Sequence, residues 1–196
     1  MQRRLVLRTL AAAGTLALPV SFSPPAMAAG DDALVALLRG GGHLILMRHA
    51  ATVPGVGDPA GFVLGQCGTQ RNLSEAGRAD ARRIGAAFVR HRIPVAAVLS
   101  SRWCRCLDTA RLAFGTVTPA PMLDSIFDED GAARDARLRQ LPGWIKALPR
   151  DGGNVVLVTH DVNIQALVQQ SVRQGEMVVA KARPDGALEV VGRWRV

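Results

Sequence analysis

Two apolar runs that each end in a histidine constrain this chain more than any other feature. HLILMRHA, His43 to Ala50, follows Gly40, Gly41 and Gly42 and stops abruptly at Arg48 and His49; NVVLVTHD, Asn154 to Asp161, repeats the pattern and stops at His160. Short continuous apolar runs bounded by glycine and polar residues read as strands buried on both faces. In open α/β sheets the ligand crevice lies beyond the carboxyl ends of the strands. Two of the four histidines, His49 and His160, therefore arrive at matching strand tips, whereas His43 and His91 read as structural or surface residues.

Between these strands the chain alternates. Ala33 to Arg39 reads as a short helix behind Asp31 and Asp32. Ala51 to Gln70, rich in glycine and proline, reads as a loop leaving the first strand tip, where long loops commonly carry substrate contacts. Ser74 is placed to cap a helix whose Ala76, Ala79, Ile84, Ala87 and Phe88 face a core and which stops before Pro94. Val95 to Leu99 reads as a second strand, followed by Ser100, Ser101 and Arg102 and a helix through Ala113; Pro119 to Leu123 reads as a short third strand. An acidic loop with Asp124, Asp128, Glu129 and Asp130 precedes a helix carrying Leu138, Leu141, Trp144, Ile145 and Leu148, interrupted or redirected at Pro142. Asp151 to Gly153 turns into the fourth strand, Ile164 to Val172 is helical, and Met177 to Ala180 with Leu188 to Trp194 form a hairpin about Pro184 to Gly186. This alternation predicts an α/β fold in three layers, a mostly parallel central sheet with helices on both faces.

The first 28 residues stand apart from residues 29–196, which read as one domain. Arg3 and Arg4, the apolar run Leu10 to Val20 and the small-x-small site Ala26 to Ala28 form an export-signal pattern. The apolar run is shorter than the ~20 residues that span a bilayer, and Pro19, Pro24 and Pro25 interrupt or bound it. QRRLVLR, Gln2 to Arg8, also resembles a twin-arginine signal, with Val6 and Gln2 departing from its usual residues, so both export routes stay open. Cleavage after Ala28 takes Arg3, Arg4 and Arg8 from the 24 basic residues and none of the 16 acidic ones, so the formal charge falls from +8 to +5. That surplus suits an anionic substrate or envelope surface. With 4% aromatic content and no dense basic run, nucleic acid is not an expected partner, and no stable membrane insertion is expected once the signal is removed. The expected location is periplasmic. Cys67, Cys104 and Cys106 make an odd count; Cys67 pairing with one of the other two suits an oxidising compartment, and Cys104 and Cys106 lack the spacing of a metal site.

Arginines and histidines at several strand tips suit phosphate chemistry. The guanidinium fork binds phosphate oxygens directionally, a neutral imidazole can act as a nucleophile, and phosphoryl transfer depends chiefly on positioning and charge stabilisation. Arg48 and His49 with a further arginine and His160 could form a metal-free phosphoryl-transfer site that needs no cofactor. MRHA at Met47 to Ala50, LSEAGRADA at Leu73 to Ala81, SSRWCRCLDTA at Ser100 to Ala110 and VTHDVN at Val158 to Asn163 resemble, in order and spacing, the histidine phosphatase superfamily, also called phosphoglycerate mutase-like. The resemblance covers nearly all of residues 29–196. It implies His49 as the nucleophile that becomes phosphohistidine, Arg48 as its phosphate-binding neighbour, His160 as the second histidine holding the transferring group, and Arg105 as the next phosphate-binding arginine, set by Ser101, Arg105 and Thr109. Arg102 is a further phosphate-binding candidate, with a solvated helix-start residue as the other reading.

Three departures from the family pattern matter. Ala50 replaces the glycine after the nucleophile, the asparagine usual a few residues later is absent, and Ser125 stands where mutase-like members carry a glutamate. A general acid is worth roughly 10²–10⁴-fold for a poor leaving group. The His-Asp pair His160-Asp161 resembles that of acid-phosphatase members, which implies Asp161 as proton donor; Asp128 and Glu129 are the alternatives, and an N-cap role for Asp161 is the competing structural reading. The resemblance thus implies an exported phosphoric monoester hydrolase acting on a small phosphate ester or an envelope glycan phosphate. Gln70 to Arg78 and the SSRWCRC stretch are most similar to lipopolysaccharide core heptose-phosphate phosphatases. A catalytically silent phosphate-binding protein and a phosphoprotein phosphatase are the alternatives.

Overall fold

The computed structural model describes residues 27–149 and 152–196. Helix α1 is Met27–Arg39, and the strand expected at the first apolar run is β1, Leu44–Arg48. After the long loop come α2 (Glu75–Arg90), β2 (Val95–Ser100), α3 (Cys104–Phe114), β3 (Thr118–Pro119), α4 (Gly131–Lys146), β4 (Asn154–Thr159) and α5 (Asp161–Val168). The chain ends in the hairpin of β5 (Met177–Ala182) and β6 (Leu188–Trp194). The six strands form one sheet in the order β3-β2-β4-β1-β5-β6. Strands β1 to β4 pair in parallel, while β5 runs antiparallel to β1 and β6 antiparallel to β5.

The period-two alternation of strand side chains divides the core. Ile45 and Met47 of β1 join Val156 and Val158 of β4 on one face, packed by Leu34, Val35 and Leu38 of α1, Ile84 and Phe88 of α2, and Cys106 and Ala110 of α3. Leu44, Leu46, Val155 and Leu157 face the other way, against Ile145 of α4 and Ile164 of α5. Burying each such aliphatic side chain is worth about 1.5–3 kcal/mol, and both central strands are buried on both faces. The three-layer sandwich expected from the alternation of elements is the fold observed.

Local differences have local causes. The first helix begins at Met27 rather than Ala33, so Asp31 and Asp32 lie within it and the expected domain boundary after Ala28 falls in its first turn. The remainder of the expected export segment, and Asp151 of the expected turn, lie outside the described residues. On α2, Ala76 and Ala79 are exposed, and Gly77, Ala81 and Gly85 take the buried positions. Glycine is required at two of these. A Cβ on Gly77 would fall 1.8 Å from the Ala51 carbonyl oxygen, and one on Gly85 2.0 Å from that of Ala113. The third strand is only Thr118–Pro119, because Pro121 opens a 3₁₀ turn over Pro121–Leu123. So short a neighbour leaves β2 partly exposed. Helix α4 runs through Pro142 without interruption, and α5 ends at Val168, with Gln169 in the left-handed region.

Candidate active site

Parallel pairing of β1 with β4 sets Arg48 opposite Thr159. The residues that follow are therefore neighbours: the His49 amide donates to the Thr159 carbonyl at 3.0 Å, and the His49 and His160 rings stand 5.5 Å apart between centroids. The segment after α5 runs back along these tips, where the Arg48 amide donates to the Glu176 carbonyl and the Gly175 amide to the carbonyls of Arg48 and His49.

His49 is buried, and its Nδ1 lies 2.9 Å from the Ala50 carbonyl oxygen. A carbonyl only accepts, so Nδ1 carries the proton and Nε2 holds the lone pair. Burial lowers the His49 pKa from 6.5 to about 3; the Ala50 hydrogen bond opposes this, and the charges of Arg105, Arg48 and Arg71 reinforce it. At neutral pH this imidazole is uncharged with Nε2 available, the state a nucleophile needs. The position after it is tightly held: Ala50 is fully buried, and its amide donates to the Thr109 hydroxyl at 3.0 Å.

His160 is likewise buried and is lowered well below its ordinary range, first by desolvation and then by His49, Arg105 and Arg48. Its Nε2 lies 2.9 Å from the Ser101 hydroxyl and 3.5 Å from the Cys106 sulfur. Burial pushes the Cys106 thiol up to about 12, so it stays protonated.

Helix α3 explains the spacing of Arg105 and Thr109, while Ser101 lies just beyond the tip of β2. Thr109 lies one turn beyond Arg105 and donates its hydroxyl to the Arg105 carbonyl at 2.7 Å while accepting the Ala50 amide. Arg105 is thereby held to the backbone beside the nucleophile. The start of α3 has no side-chain cap at Trp103; instead the Gln70 side-chain oxygen accepts the Cys104 amide at 3.0 Å. Cys67 and Cys104 form a disulfide, which leaves Cys106 as the free cysteine and ties the glycine-rich loop to α3.

Arg48, His49, Arg105, His160 and Asp161 line one cavity of about 470 Å³ together with Asp58, Arg71, Ser125, Phe127, Asp128 and Gln174. Arg48 donates from Nη1 to the Val172 carbonyl at 2.7 Å and stands 3.9 Å from Asp161. Asp161 does not cap α5; His160 holds that position, and the Asp161 carboxylate accepts the Val172 amide at 2.7 Å. Asp128 lies on the cavity wall, whereas Glu129 is paired with Arg137 and is not among the lining residues. Arg102 is also absent from the lining. Its backbone amide and guanidinium are held by the buried carboxylate of Asp124, because Asp124 folds inward instead of joining the exposed acidic loop. Sequence reading did not single out Asp58, Arg71 or Gln174. Arg71 lies inside the QRNLSEAGR stretch, and its position there was the only signal; it donates to Thr52 and to the Gly55 carbonyl. Among the described residues there is no cluster of metal-ligating side chains, and no helix is long and apolar enough to cross a membrane.

An α/β sandwich that directs two uncharged histidines and three arginines into one cavity brings together the groups that phosphoryl binding calls for. Residues 44–130 match the model of the histidine phosphatase superfamily (branch 1), a segment that runs from β1 to the N-cap of α4. The resemblance read from MRHA, LSEAGRADA and SSRWCRCLDTA falls within the matched segment, and VTHDVN lies beyond it. The fold is shared with the product of the open reading frame Rv3214 of Mycobacterium tuberculosis, at 16% identity, 76% of this chain, 95% of that one and a TM-score of 0.58. It is shared also with TTHB049 of Thermus thermophilus, at 19% identity, 79% and 99% coverage and a TM-score of 0.54. The protein histidine phosphatase SixA in complex with tungstate is similar at 14% identity, 77% and 95% coverage and a TM-score of 0.52. No curated protein matches the chain.

Proposed function

We propose that this protein is an exported phosphomonoesterase that works through a phosphohistidine on His49 without a metal. The observation that carries the reading is the protonation state of His49: with its proton on Nδ1 and its charge suppressed by burial, Nε2 offers a lone pair in a cavity lined by Arg48, Arg105 and His160. Nε2 attacks phosphorus and the P–O ester bond breaks. Asp161 donates a proton to the leaving oxygen. Water then attacks phosphorus, Asp161 takes a proton back, the P–N bond breaks, and inorganic phosphate leaves. Arg48, Arg105 and His160 stabilise the equatorial oxygens in both steps.

The substrate is proposed to be an envelope sugar phosphate. A cavity of about 470 Å³ exceeds what a phosphoryl group fills, and beyond the histidines its wall offers the hydrogen-bonding groups of Gln174, Asp128 and Ser125 beside the ring of Phe127. Such a wall suits a hydroxyl-rich leaving group. Export is supported by the pattern over residues 1–28 and by the Cys67–Cys104 disulfide, which suits an oxidising compartment such as the periplasm.

The deciding experiment measures phosphate release from an aryl phosphate in excess chelator, beside His49→Ala. Activity that survives chelation and disappears in the variant, with an acid-labile phosphoenzyme trapped on the wild type alone, is the expected result. Tight binding of tungstate without turnover of aryl, sugar or phosphohistidine substrates would instead make this a silent binding protein. Turnover of phosphohistidine peptides but not sugar phosphates would assign it to phosphoproteins.

A further inference from the structure

The glycine-rich loop carries a buried carboxylate that the proposed chemistry does not use. The Asp58 side chain is 4% exposed, and that of its ion-pair partner Arg105 is 6% exposed. Donors from three places converge on Asp58: the Arg71 amide at 2.9 Å, the Trp103 indole nitrogen at 3.0 Å, and Nη1 of Arg105 at 2.8 and 3.0 Å from its two oxygens. Burial by itself raises the carboxyl pKa, but the hydrogen bonds from Arg105, Arg71 and Trp103 outweigh it and hold the group ionised. A carboxylate gripped in this way is a fixed part of the site.

The effect on Arg105 is directional. Asp58 takes Nη1, while Nε is buried and has no hydrogen-bond partner among the described residues. A guanidinium is planar, so fixing one corner fixes the direction of the remaining donors, and Nε with Nη2 forms the side-on edge that matches two oxygens of a phosphate. The support is itself braced: the Cys67–Cys104 disulfide and the Gln70 side chain join the loop to the residue just before Arg105.

We propose that Asp58 is a positioning residue, which by holding Nη1 of Arg105 presents the Nε–Nη2 edge of that arginine to the phosphoryl group of the substrate. The proposal rests on the phosphatase reading for the ligand but not on turnover. It sets a sign. A carboxylate beside a phosphate site would, by charge alone, weaken anion binding; here orientation and the pairing of a buried cation outweigh that repulsion.

The test is calorimetric titration of inorganic phosphate and of tungstate into wild type, Asp58→Asn, Arg105→Ala and the double variant, with thermal melts alongside. Asp58→Asn removes the charge and keeps one acceptor oxygen, enough for either the Arg71 amide or the Trp103 indole but not both. The expected result is binding of both anions weakened roughly tenfold to a hundredfold in Asp58→Asn, the range for a charge-assisted hydrogen bond. In the Arg105→Ala background the same change has little further effect, because the two residues act as a unit. Unchanged or tighter binding in Asp58→Asn overturns the proposal, as does an equal loss in both backgrounds. Failure of the wild type to bind either anion also overturns it. Wild type that binds phosphate yet releases none from an ester overturns the hydrolase reading, and the variant comparison still decides the role of Asp58. If Asp58→Asn melts below the assay temperature, Asp58→Glu is decisive: rescued binding supports the proposal, and lost binding in a folded Asp58→Glu overturns it.

Discussion

The Ser101 hydroxyl lies 2.9 Å from Nε2 of His160 and 3.4 Å from a carboxylate oxygen of Asp124, so a buried serine joins the second histidine to a buried acid. By donating its proton to Nε2, the nearer of these two acceptors, Ser101 leaves the single proton of the uncharged His160 on Nδ1, where it can serve a phosphoryl oxygen. Ser101→Ala is expected to lower phosphate release about tenfold, the size of one lost hydrogen bond, with a smaller change in KM. Imidazole nitrogen shifts measured by NMR should report the Nδ1–H form in the wild type and a mixture in the variant; identical spectra would remove this role from Ser101.

Asp161 touches both Arg48 and the Val172 amide at the edge of the cavity. As proton donor it matters most where the leaving oxygen is basic. Asp161→Asn should slow hydrolysis of alkyl phosphates by roughly 10²–10⁴-fold and that of activated aryl phosphates far less. Equal losses on both substrates would shift the assignment to Asp128, which lies on the same wall.

Acid should unfold this protein earlier than surface charge suggests. His49 has its pKa lowered from 6.5 to about 3, and His160 is lowered in the same direction. As pH falls below about 6.5 the unfolded chain takes up these protons and the folded one does not, so stability present above that pH is lost through the window down to about 3. Each histidine contributes a slope of about 1.4 kcal/mol per pH unit. Urea midpoints measured between pH 7.5 and 4.5 should fall on acidification, with a shallower slope in His49→Gln.

The Cys67–Cys104 bridge spans 37 positions. Loop-closure entropy for a ring of that size corresponds to about 4 kcal/mol, so replacing both cysteines by serine should lower Tm markedly. Because the bridge braces the segment next to Arg105, phosphate binding should weaken in the folded variant as well. Unchanged Tm under reducing conditions would argue against a closed bridge in solution.

Gly77 separates two opposing expectations. Judged as a helix position, Gly77→Ala should stabilise α2 by up to about 1 kcal/mol. Judged by packing, the new Cβ meets the Ala51 carbonyl oxygen at 1.8 Å, two residues beyond the nucleophile. Overpacking costs typically about 1–3 kcal/mol, and the variant should melt earlier and lose activity. A higher Tm would show that α2 can slide without disturbing the site.

Much of the site's frame was legible because it lies on regular elements. Strands β1 and β4 betray themselves by apolar continuity, and the tips that carry His49 and His160 follow from where that continuity stops. The turn spacing of Arg105 and Thr109 is a helical period, and the structure shows what it serves. Asp58 had no such marker. It sits among glycines and prolines without periodicity, so nothing local says whether its carboxylate meets solvent or Arg105. Arg102 and Asp124 show the same blindness in reverse: Arg102 read as a phosphate-binding or helix-start residue and Asp124 as part of an acidic loop, yet they found one another across 22 positions.

What the sequence by itself determined is the order of elements, the three-layer class and the chemistry delivered to the strand tips, since hydrophobic period and short motifs are local properties. Only the tertiary structure decided which charges face the cavity, which cysteine closes the bridge and which proton His49 keeps. Those outcomes depend on desolvation and on partners distant in the chain: burial lowers His49, while Asp58 reaches Arg105 across 47 positions. Such terms exist only after the chain has folded.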